Sequence, residues 1–228
     1  MSDFIELLNQ FDIHPQDLEV YKRAFTHSSY NVYDKEKQHK DYERIEFMGD
    51  AVIEFCVSDI LFRLFPNLPE GELTKMRAYM VKTKSLSNYA RKLNLAQYIV
   101  SSMALSREQI ASSDNILEDV FEALVGAIYL DQGINVAFRF VHDIFYEDIK
   151  NIDMDLIVDA KTKLQELMQA EHHDLVHYEV IAITGPAHDR TFEVNVMFND
   201  IVLANGKGKS KKAAEEEAAR NALKKGAI

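Results

Sequence analysis

Cysteine is almost absent from this chain of 228 residues, and proline and glycine are scarce. The one cysteine, Cys56, has no partner within the chain, so an internal disulfide is excluded and nothing indicates an oxidising compartment. It lies in an apolar segment, where a small core residue is expected. Only four prolines and eight glycines, together with a hydrophobic content of 47%, argue against a disordered chain and indicate a globular protein.

Targeting and membrane-spanning segments are also missing from the sequence pattern. The first residues, Met-Ser-Asp-Phe-Ile-Glu, contain neither a basic region nor a long apolar run, so no signal peptide is expected. No uninterrupted apolar stretch approaches the ~20 residues of a membrane span. The sequence therefore predicts a soluble, cytoplasmic protein with no membrane partner.

The net charge of −11 argues against a simple electrostatic binder of nucleic acid, but the charge is uneven along the chain. Residues 1–156 carry a net charge of −10, and residues 157–228 carry only −1. Four lysines and two glycines cluster at residues 206–212, at the start of a predicted helix. Free backbone N–H groups at a helix N-terminus attract phosphate, and nearby lysines add a salt-dependent attraction. The alternative is an exposed basic loop without a ligand.

Acidic residues interrupt one of the most apolar segments of the sequence. From Ile45 to Phe65 hydrophobic residues fall on nearly every face of a predicted helix, which is therefore expected to be buried. Glu43, Glu46 and Asp50 are spaced i, i+3 and i+7, so they would form one stripe. A buried, unpaired carboxylate is costly, and it neutralises, finds a partner or binds a metal.

A second apolar helix, predicted at residues 115–130, repeats this arrangement with Glu118, Asp119 and Glu122. Asp119 and Glu122 are i, i+3 neighbours and share a face. Two such helices could surround one or two hard divalent cations, because Mg2+ prefers oxygen ligands and keeps several waters. The alternative is that these acids form an ordinary solvated helix face.

Hydrophobic periodicity divides the chain into a helical part and a mixed part. Around the two acidic helices, further helices are predicted at residues 17–25, 72–81, 84–93 (capped by Thr83) and 135–150. Residues 101–114 are polar and weakly patterned. The C-terminal part is predicted to contain helix 161–172, strands 178–183, 191–198 and 201–205, and helix 210–225.

This order predicts an all-α N-terminal domain at residues 1–150, a linker at 151–159 and a small α+β domain at 160–228. The small domain has the order α-β-β-β-α.

Several motifs, in order along almost the whole chain, resemble the bacterial ribonuclease III family. Residues 43–52, Glu-Arg-Ile-Glu-Phe-Met-Gly-Asp-Ala-Val, look like its signature helix. Residues 119–124 look like its second catalytic motif and are followed by a stretch typical of the family at 127–133. The other matches in the helical part are residues 26–30 and 69–71. The C-terminal part resembles a double-stranded-RNA-binding domain at residues 161–166, 185–188 and 208–212.

The resemblance implies a Mg2+-dependent endoribonuclease that cleaves double-stranded RNA to 5′-phosphate and 3′-hydroxyl ends with short 3′ overhangs. Mn2+ is a plausible substitute for Mg2+. The implied metal-binding acids are Glu46, Asp50, Asp119 and Glu122, of which Asp50 and Glu122 are also assigned as catalytic. Glu43 and Glu70 match supporting acids near the cleavage site.

Family members are homodimers that process ribosomal and other structured precursor RNAs, and Phe47 is a candidate contact of such a dimer. The implied RNA-binding residues are Thr162, Gln165, Glu166, Pro186, His188, Lys209, Ser210, Lys211 and Lys212. They would recognise the shape of an A-form duplex and its 2′-hydroxyls, with little reading of bases.

One segment departs from the family pattern, and one rival function stays open at this point. Residues 100–114 lack the glycine pair that often precedes the second motif, and Arg107 is their only base. The rival is a non-catalytic double-stranded-RNA-binding protein, which would not need all four metal-binding acids. A di-iron helical bundle would need Glu-x-x-His pairs, which neither acidic helix contains.

Overall fold

The computed structural model describes residues 4–30, 40–153, 160–172, 175–186 and 189–226, and the chain divides into two units after Ile152. Residues 154–159 of the predicted linker lie outside the described residues. The described part of the first unit contains α-helices α1 (Phe4–Gln10), α2 (Leu18–Ala24), α3 (Glu43–Leu64), α4 (Glu70–Met80), α5 (Thr83–Lys92), α6 (Arg107–Ser112), α7 (Asp114–Gln132) and α8 (Ile134–Lys150). Short 3-10 turns occur at Ser28–Tyr30 and Leu95–Gln97. No helix among the described residues is long and apolar enough to cross a membrane.

The second unit contains α9 (Ala160–His172), β1 (His177–Thr184), β2 (Thr191–Phe198), β3 (Ile201–Gly208) and α10 (Lys211–Lys225). The strands form an antiparallel sheet in the order β1-β2-β3. Leu164 and Met168 of α9 pack with Val196 of the sheet and the small residues Ala218 and Ala222 of α10. This layout confirms the predicted fold class of a helical domain joined to an α-β-β-β-α domain.

Helix α7 forms the centre of the first unit, and its sequence explains why. Its residues from Leu117 to Ile128 are almost all buried, and it packs against α2, α3, α5 and α8. Ser113 caps its N-terminus, because the Ser113 hydroxyl accepts a hydrogen bond from Ile116 N–H. Gly133, at φ +80°, ends the helix and lets α8 begin at the next residue.

The prediction that the first acidic helix is buried nearly all round is wrong. One side of α3 packs against α7 and α8, but Phe47, Phe55 and Phe62 on its outer side are 76%, 56% and 71% exposed. The apolar pattern therefore marks two faces, of which only one is covered within the described chain. Large exposed apolar faces of this kind are typical of protein–protein contacts.

Asp131 joins the end of α7 to the start of α2. Its carboxylate accepts hydrogen bonds from the backbone N–H groups of Gln16 and Asp17, from the Tyr21 hydroxyl and from the Gln132 amide. Burial opposes the charged form, but these donors outweigh it and hold the pKa of Asp131 below its ordinary value. The bonds therefore stabilise the folded state above the ordinary carboxyl pKa and are lost as the pH falls through the lowered value.

Replacing Asp131 with asparagine should lower the free energy of unfolding by about 2 kcal/mol at pH 7, because an amide has one acceptor oxygen and brings two donors among the existing donors. For a protein of this size the melting temperature should fall by roughly 4–8 °C. Circular dichroism melts would measure the change, with the exposed Asp143→Asn as the control. Equal melting temperatures for Asp131→Asn and Asp143→Asn would contradict the structural role of this carboxylate.

Candidate active site

Two glycines allow the backbones of α3 and α7 to touch. A Cβ atom on Gly49 would lie 1.8 Å from the carbonyl oxygen of Glu122, and one on Gly126 would lie 2.3 Å from the carbonyl oxygen of Ile45. Such distances leave no room for any side chain at either position. The glycine contact thereby fixes the acids that flank Gly49 on α3 beside those that precede Gly126 on α7.

The acids predicted from the sequence come together around this contact, at different depths. Glu122 is 9% exposed and is the most buried of them. Glu46 and Asp119 are half-buried, whereas Glu43 and Asp50 are exposed. The charges of Glu46, Asp50 and Asp119 act on the carboxyl of Glu122, so the acids of α3 and α7 form a cluster whose buried end is Glu122.

Burial and mutual repulsion raise the pKa of several of these carboxyls. Burial is the largest cause for Glu122, and with the charge of Asp50 and other neighbours it raises the pKa to about 9. Burial and the charge of Asp119 raise the pKa of Glu46 to about 7. Burial also raises the pKa of Asp119, although a hydrogen bond from Tyr42 opposes this effect.

In the part of the chain that the structure describes, the basic side chain that acts on the cluster is His27, whose interaction with Asp119 opposes the raised pKa of that carboxyl. Among the described residues, no lysine or arginine forms an ion pair with Glu43, Glu46, Asp50, Asp119 or Glu122. Within the same part of the chain, no three histidine, cysteine or acidic side chains are arranged to hold a metal ion as they stand. The donors present are carboxylate oxygens, which suit a hard divalent cation, and such a cation would compensate the charge.

Tyr42 also belongs to this site, although it was not among the residues predicted from the sequence. This residue precedes α3, is 4% exposed and donates its hydroxyl hydrogen to Asp119 Oδ2 over 3.0 Å. Burial and the charge of Asp119 raise the pKa of Tyr42, so the hydroxyl keeps its proton. The His27 ring meets the Tyr42 ring edge-on, with the ring centroids 5.7 Å apart. A contact between residues 77 positions apart has no local signal in the sequence.

Glu118 was noted as an intruding acid but was not assigned to the site. In the structure it is half-buried beside the cluster, and its charge contributes to the raised pKa of both Glu46 and Glu122. Burial raises the pKa of Glu118 itself, while a hydrogen bond from Thr83 opposes this shift. Thr83 was predicted to cap α5. It is instead the first residue of that helix, and Lys82 stands at the cap position.

Glu70 is not brought into this cluster by any contact of the described residues. It begins α4, it is exposed, and its carboxylate accepts a hydrogen bond from the Thr74 hydroxyl at 2.8 Å. Glu70 is also not among the groups that chiefly raise the pKa of Glu46 or Glu122. Its supporting role stays a prediction from the family resemblance.

The atypical segment before α7 forms the short helix α6, which the sequence analysis did not predict. Ser106 and Gln109 make a reciprocal capping box at its N-terminus. Arg107, the only base of residues 100–114, donates hydrogen bonds to the carbonyl groups of Ala96 and Gln97 at 3.1 and 2.8 Å. Arg107 therefore stabilises the preceding 3-10 turn at Leu95–Gln97.

In the C-terminal unit, the predicted RNA-binding residues on α9 differ in their exposure to solvent. Thr162 and Glu166 are exposed. Gln165 is half-buried, and its side-chain oxygen accepts a hydrogen bond from Val176 N–H at 3.2 Å. Gln165 thus helps to join α9 to β1. Pro186 is exposed in the β1–β2 loop, while His188 lies outside the described residues.

The predicted phosphate-binding lysines gather at the start of α10, but some already face carboxylates. Lys209 Nζ lies 2.6 Å from Asp189 Oδ1, and Lys211 Nζ lies 3.8 Å from Glu215 Oε1. Lys212 is exposed in the first turn of the helix. Ser210 is the N-cap as predicted, because its hydroxyl accepts a hydrogen bond from Ala213 N–H at 3.1 Å.

Comparisons with known proteins agree with both units. A family model described as ribonuclease-III-like matches residues 17–149, and a model of the double-stranded RNA binding motif matches residues 160–225. The ribonuclease 3 of Bacillus cereus is 43% identical over 213 residues, covering 92% of this chain and 85% of that protein. The ribonuclease 3 of Streptococcus pneumoniae is 38% identical over 220 residues, covering 96% and 95%.

Solved structures show the same fold for the first unit. The nuclease domain of ribonuclease III from Campylobacter jejuni superposes with a TM-score of 0.59 at 32% identity, covering 67% of this chain and all of that one. A second structure of that Campylobacter jejuni domain superposes with a TM-score of 0.56 and was described for the flexibility of a region involved in that domain's dimer formation. The chain belongs to the ribonuclease III family, and it is an endoribonuclease.

Proposed function

We propose that this chain is a divalent-metal-dependent endoribonuclease that cuts both strands of duplex RNA, with Mg2+ as its metal and Mn2+ as a substitute. The observation that carries the proposal is the cluster of acids from α3 and α7, which has a buried end and, among the described residues, no ion pair with lysine or arginine. A protein that only bound RNA would gain nothing from this arrangement, because the carboxylates repel the phosphates of RNA and one another.

The four acids Glu46, Asp50, Asp119 and Glu122 are assigned as the residues that would hold the metal. When bound, the metal would supply an activated water for attack on a backbone phosphorus and would stabilise the departing 3′ oxygen. Asp50, which is exposed, lies on the solvent side of the cluster, while the buried Glu122 closes its inner side. Glu43 lies one turn before Glu46 and Asp50 one turn after it, which extends the acids along α3 toward a duplex substrate.

The proposed reaction leaves 5′-phosphate and 3′-hydroxyl ends with short 3′ overhangs, and the proposed substrates are ribosomal and other structured precursor RNAs in the cytoplasm. Incubating a long RNA hairpin with the intact protein and Mg2+ tests the chemistry. The products should ligate to a 3′-hydroxyl acceptor through their 5′ phosphates without prior treatment. Tight binding of the hairpin without cleavage in Mg2+ or Mn2+ would contradict the proposal.

A matched pair of variants on α3 connects cleavage to the acid cluster. Glu46 is half-buried within the cluster, and Glu54 is exposed two turns further along the same helix. Glu46→Gln should lose most cleavage while retaining the binding of the hairpin, whereas Glu54→Gln should cleave as the wild type does. Equal activities of the two variants would remove Glu46 from the proposed metal site.

The proposal includes a homodimer formed through the first unit. Exposed Phe55 and Ile134 border two cavities of about 600 and 660 Å3, one lined by α3 and α8 and the other by α3 and the end of α7. Together with Phe47 and Phe62 they form an apolar surface that a second copy of the chain would cover. Light scattering of the intact protein should give twice the 26.2 kDa chain mass, and a monomer at micromolar concentration would contradict it.

Duplex binding is assigned to the C-terminal unit, with phosphates contacting the first turn of α10. The double variant Lys211→Ala/Lys212→Ala should weaken binding of a 20-base-pair RNA by about tenfold or more. It should reduce the slope of log affinity against log salt by about one to two, because Lys211 already faces Glu215. Lys224→Ala/Lys225→Ala at the exposed C-terminal end of the same helix is the control, since it removes the same charge away from the helix N-terminus. Equal losses for both pairs would mean that total charge, not the helix N-terminus, governs binding.

A further inference from the structure

Tyr42 stands at the N-terminal end of α3 and reaches an acid on α7. Its hydroxyl donates to Asp119 Oδ2 over 3.0 Å, and the residue is 4% exposed. A hydrogen bond to a carboxylate is stronger than one between neutral groups, and exclusion of water strengthens it further. The orientation of the Asp119 carboxylate is therefore tied to the position of one tyrosine hydroxyl.

Tyr42 itself is held from two directions. Its backbone N–H donates to the carbonyl oxygen of Thr26 at 3.0 Å, and its own carbonyl oxygen accepts from Glu46 N–H at 2.8 Å. The His27 ring packs edge-on against the tyrosine ring. His27 is fixed in turn, because Ser29 N–H donates to its Nδ1 atom at 3.0 Å. The backbone hydrogen bonds and the ring contact thus fix the position of the Tyr42 hydroxyl that faces Asp119.

We propose that Tyr42 is a positioning residue that orients the Asp119 carboxylate toward the catalytic metal ion. The inference rests on the proposed function, since it requires Asp119 to be one of the metal-binding acids. A donor on one carboxylate oxygen restricts rotation of the group and leaves the second oxygen free of this bond. Partners of this kind, which bind a ligand and not the metal, commonly contribute about 10- to 100-fold to metal affinity.

The substitution Tyr42→Phe tests the proposal, because it keeps the buried ring and removes only the hydroxyl. Binding of Mn2+ to the metal-free protein, followed by the paramagnetic resonance signal of free Mn2+ and without RNA, should be about tenfold weaker than for the wild type. Cleavage by the variant should need correspondingly more Mn2+ and should approach the wild-type rate at saturation.

Tyr21→Phe is a matched control in the same unit. Tyr21 is fully buried, and its hydroxyl donates to Asp131 Oδ2 over the same distance of 3.0 Å. Asp131 lies in the last turn of α7, nine residues after Glu122. This variant should melt at a lower temperature and bind Mn2+ as the wild type does. An equal loss of Mn2+ affinity in Tyr42→Phe and Tyr21→Phe would overturn the proposal, because general destabilisation would then explain both.

A double variant shows whether Tyr42 acts through Asp119. In an Asp119→Ala background, Tyr42→Phe should weaken Mn2+ binding no further. A further tenfold loss in that background would overturn the assigned route. Unchanged Mn2+ affinity in Tyr42→Phe alone would overturn the positioning role and leave the proposed function intact, whereas absence of saturable Mn2+ binding by the wild type would overturn both.

Discussion

Replacing Glu122 with glutamine should abolish cleavage and should also make the metal-free protein harder to unfold. The loss of one carboxylate from the proposed metal site is expected to reduce the cleavage rate on the order of a thousandfold, or about 4 kcal/mol of transition-state stabilisation. Binding of duplex RNA should persist, because the residues assigned to duplex binding lie in the other unit. Single-turnover cleavage of a hairpin, with filter binding alongside, measures both.

The expected gain in stability follows from the raised pKa values. The pKa of Glu122 rises from 4.5 to about 9 and that of Glu46 to about 7, so the folded form binds these protons more tightly than the unfolded form does. Below pH 4.5 both forms are protonated and the folded state bears no electrostatic penalty. As the pH rises from 4.5 toward 9, the folded form progressively loses stability through Glu122.

Glutamine at position 122 removes this loss, so the difference in melting temperature between variant and wild type should grow from pH 5 to pH 9 in the presence of a chelator. A gain of ~1 kcal/mol would correspond to roughly 3 °C in a protein of this size. Glu54→Gln on the exposed side of α3 should show no such growth. A difference in melting temperature that stays constant with pH would contradict the raised pKa of Glu122.

Replacing Gly49 with alanine should disrupt the site by a different route. The new Cβ atom would lie 1.8 Å from the carbonyl oxygen of Glu122, and backbone on both sides prevents an easy shift. Helices α3 and α7 would have to separate, which we expect to lower the free energy of unfolding by about 4 kcal/mol or more and to move Glu46 and Asp50 away from Glu122. Thermal melts and Mn2+ binding of any folded fraction provide the two measurements.

Gly71→Ala is the control for that substitution. Gly71 is the second residue of α4, and a Cβ atom there would meet nothing within 4 Å. The same chemical change should therefore stabilise the protein by about 0.5–1 kcal/mol, as alanine does in an open helix interior. Stability changes of the same sign at positions 49 and 71 would show that the α3–α7 contact is looser than described.

Much of the fold followed from local pattern. The change from a hydrophobic period of 3.6 residues to strand alternation located the second unit along the chain. The observed strands β1 and β3 extend the predicted strands by one to three residues at their ends. Two short helices were missed: α1 is only about two turns long, and α6 has six residues with Ile110 as its single large apolar side chain. The capping box at Ser106 and Gln109 was the one local signal for α6.

The acids of the site were predictable because their apolar surroundings made them conspicuous, whereas their supports were not. Tyr42 and Thr83 act on Asp119 and Glu118 across long stretches of chain, and such contacts leave no mark on local periodicity. The exposed face of α3 was misjudged for a related reason. Apolar composition indicates that Phe47 and Phe62 are covered by other residues. It does not show whether those residues belong to the core of the same chain or to the surface of a second chain.

The carboxylates beside the basic residues of the second unit have a consequence for how binding responds to salt. Lys209 faces Asp189, and Lys211 shares Glu215 with Lys161. These lysines are therefore already paired with carboxylates of the same protein before they bind a duplex. A lysine that brings its own anion displaces fewer of the small cations condensed on nucleic acid. Affinity should therefore decline with ionic strength less steeply than the lysine count implies, and Asp189→Asn should steepen that decline. For a given rise in the potassium concentration of its surroundings, such a protein would lose a smaller fraction of its affinity for a duplex than a protein whose lysines have no carboxylate partner.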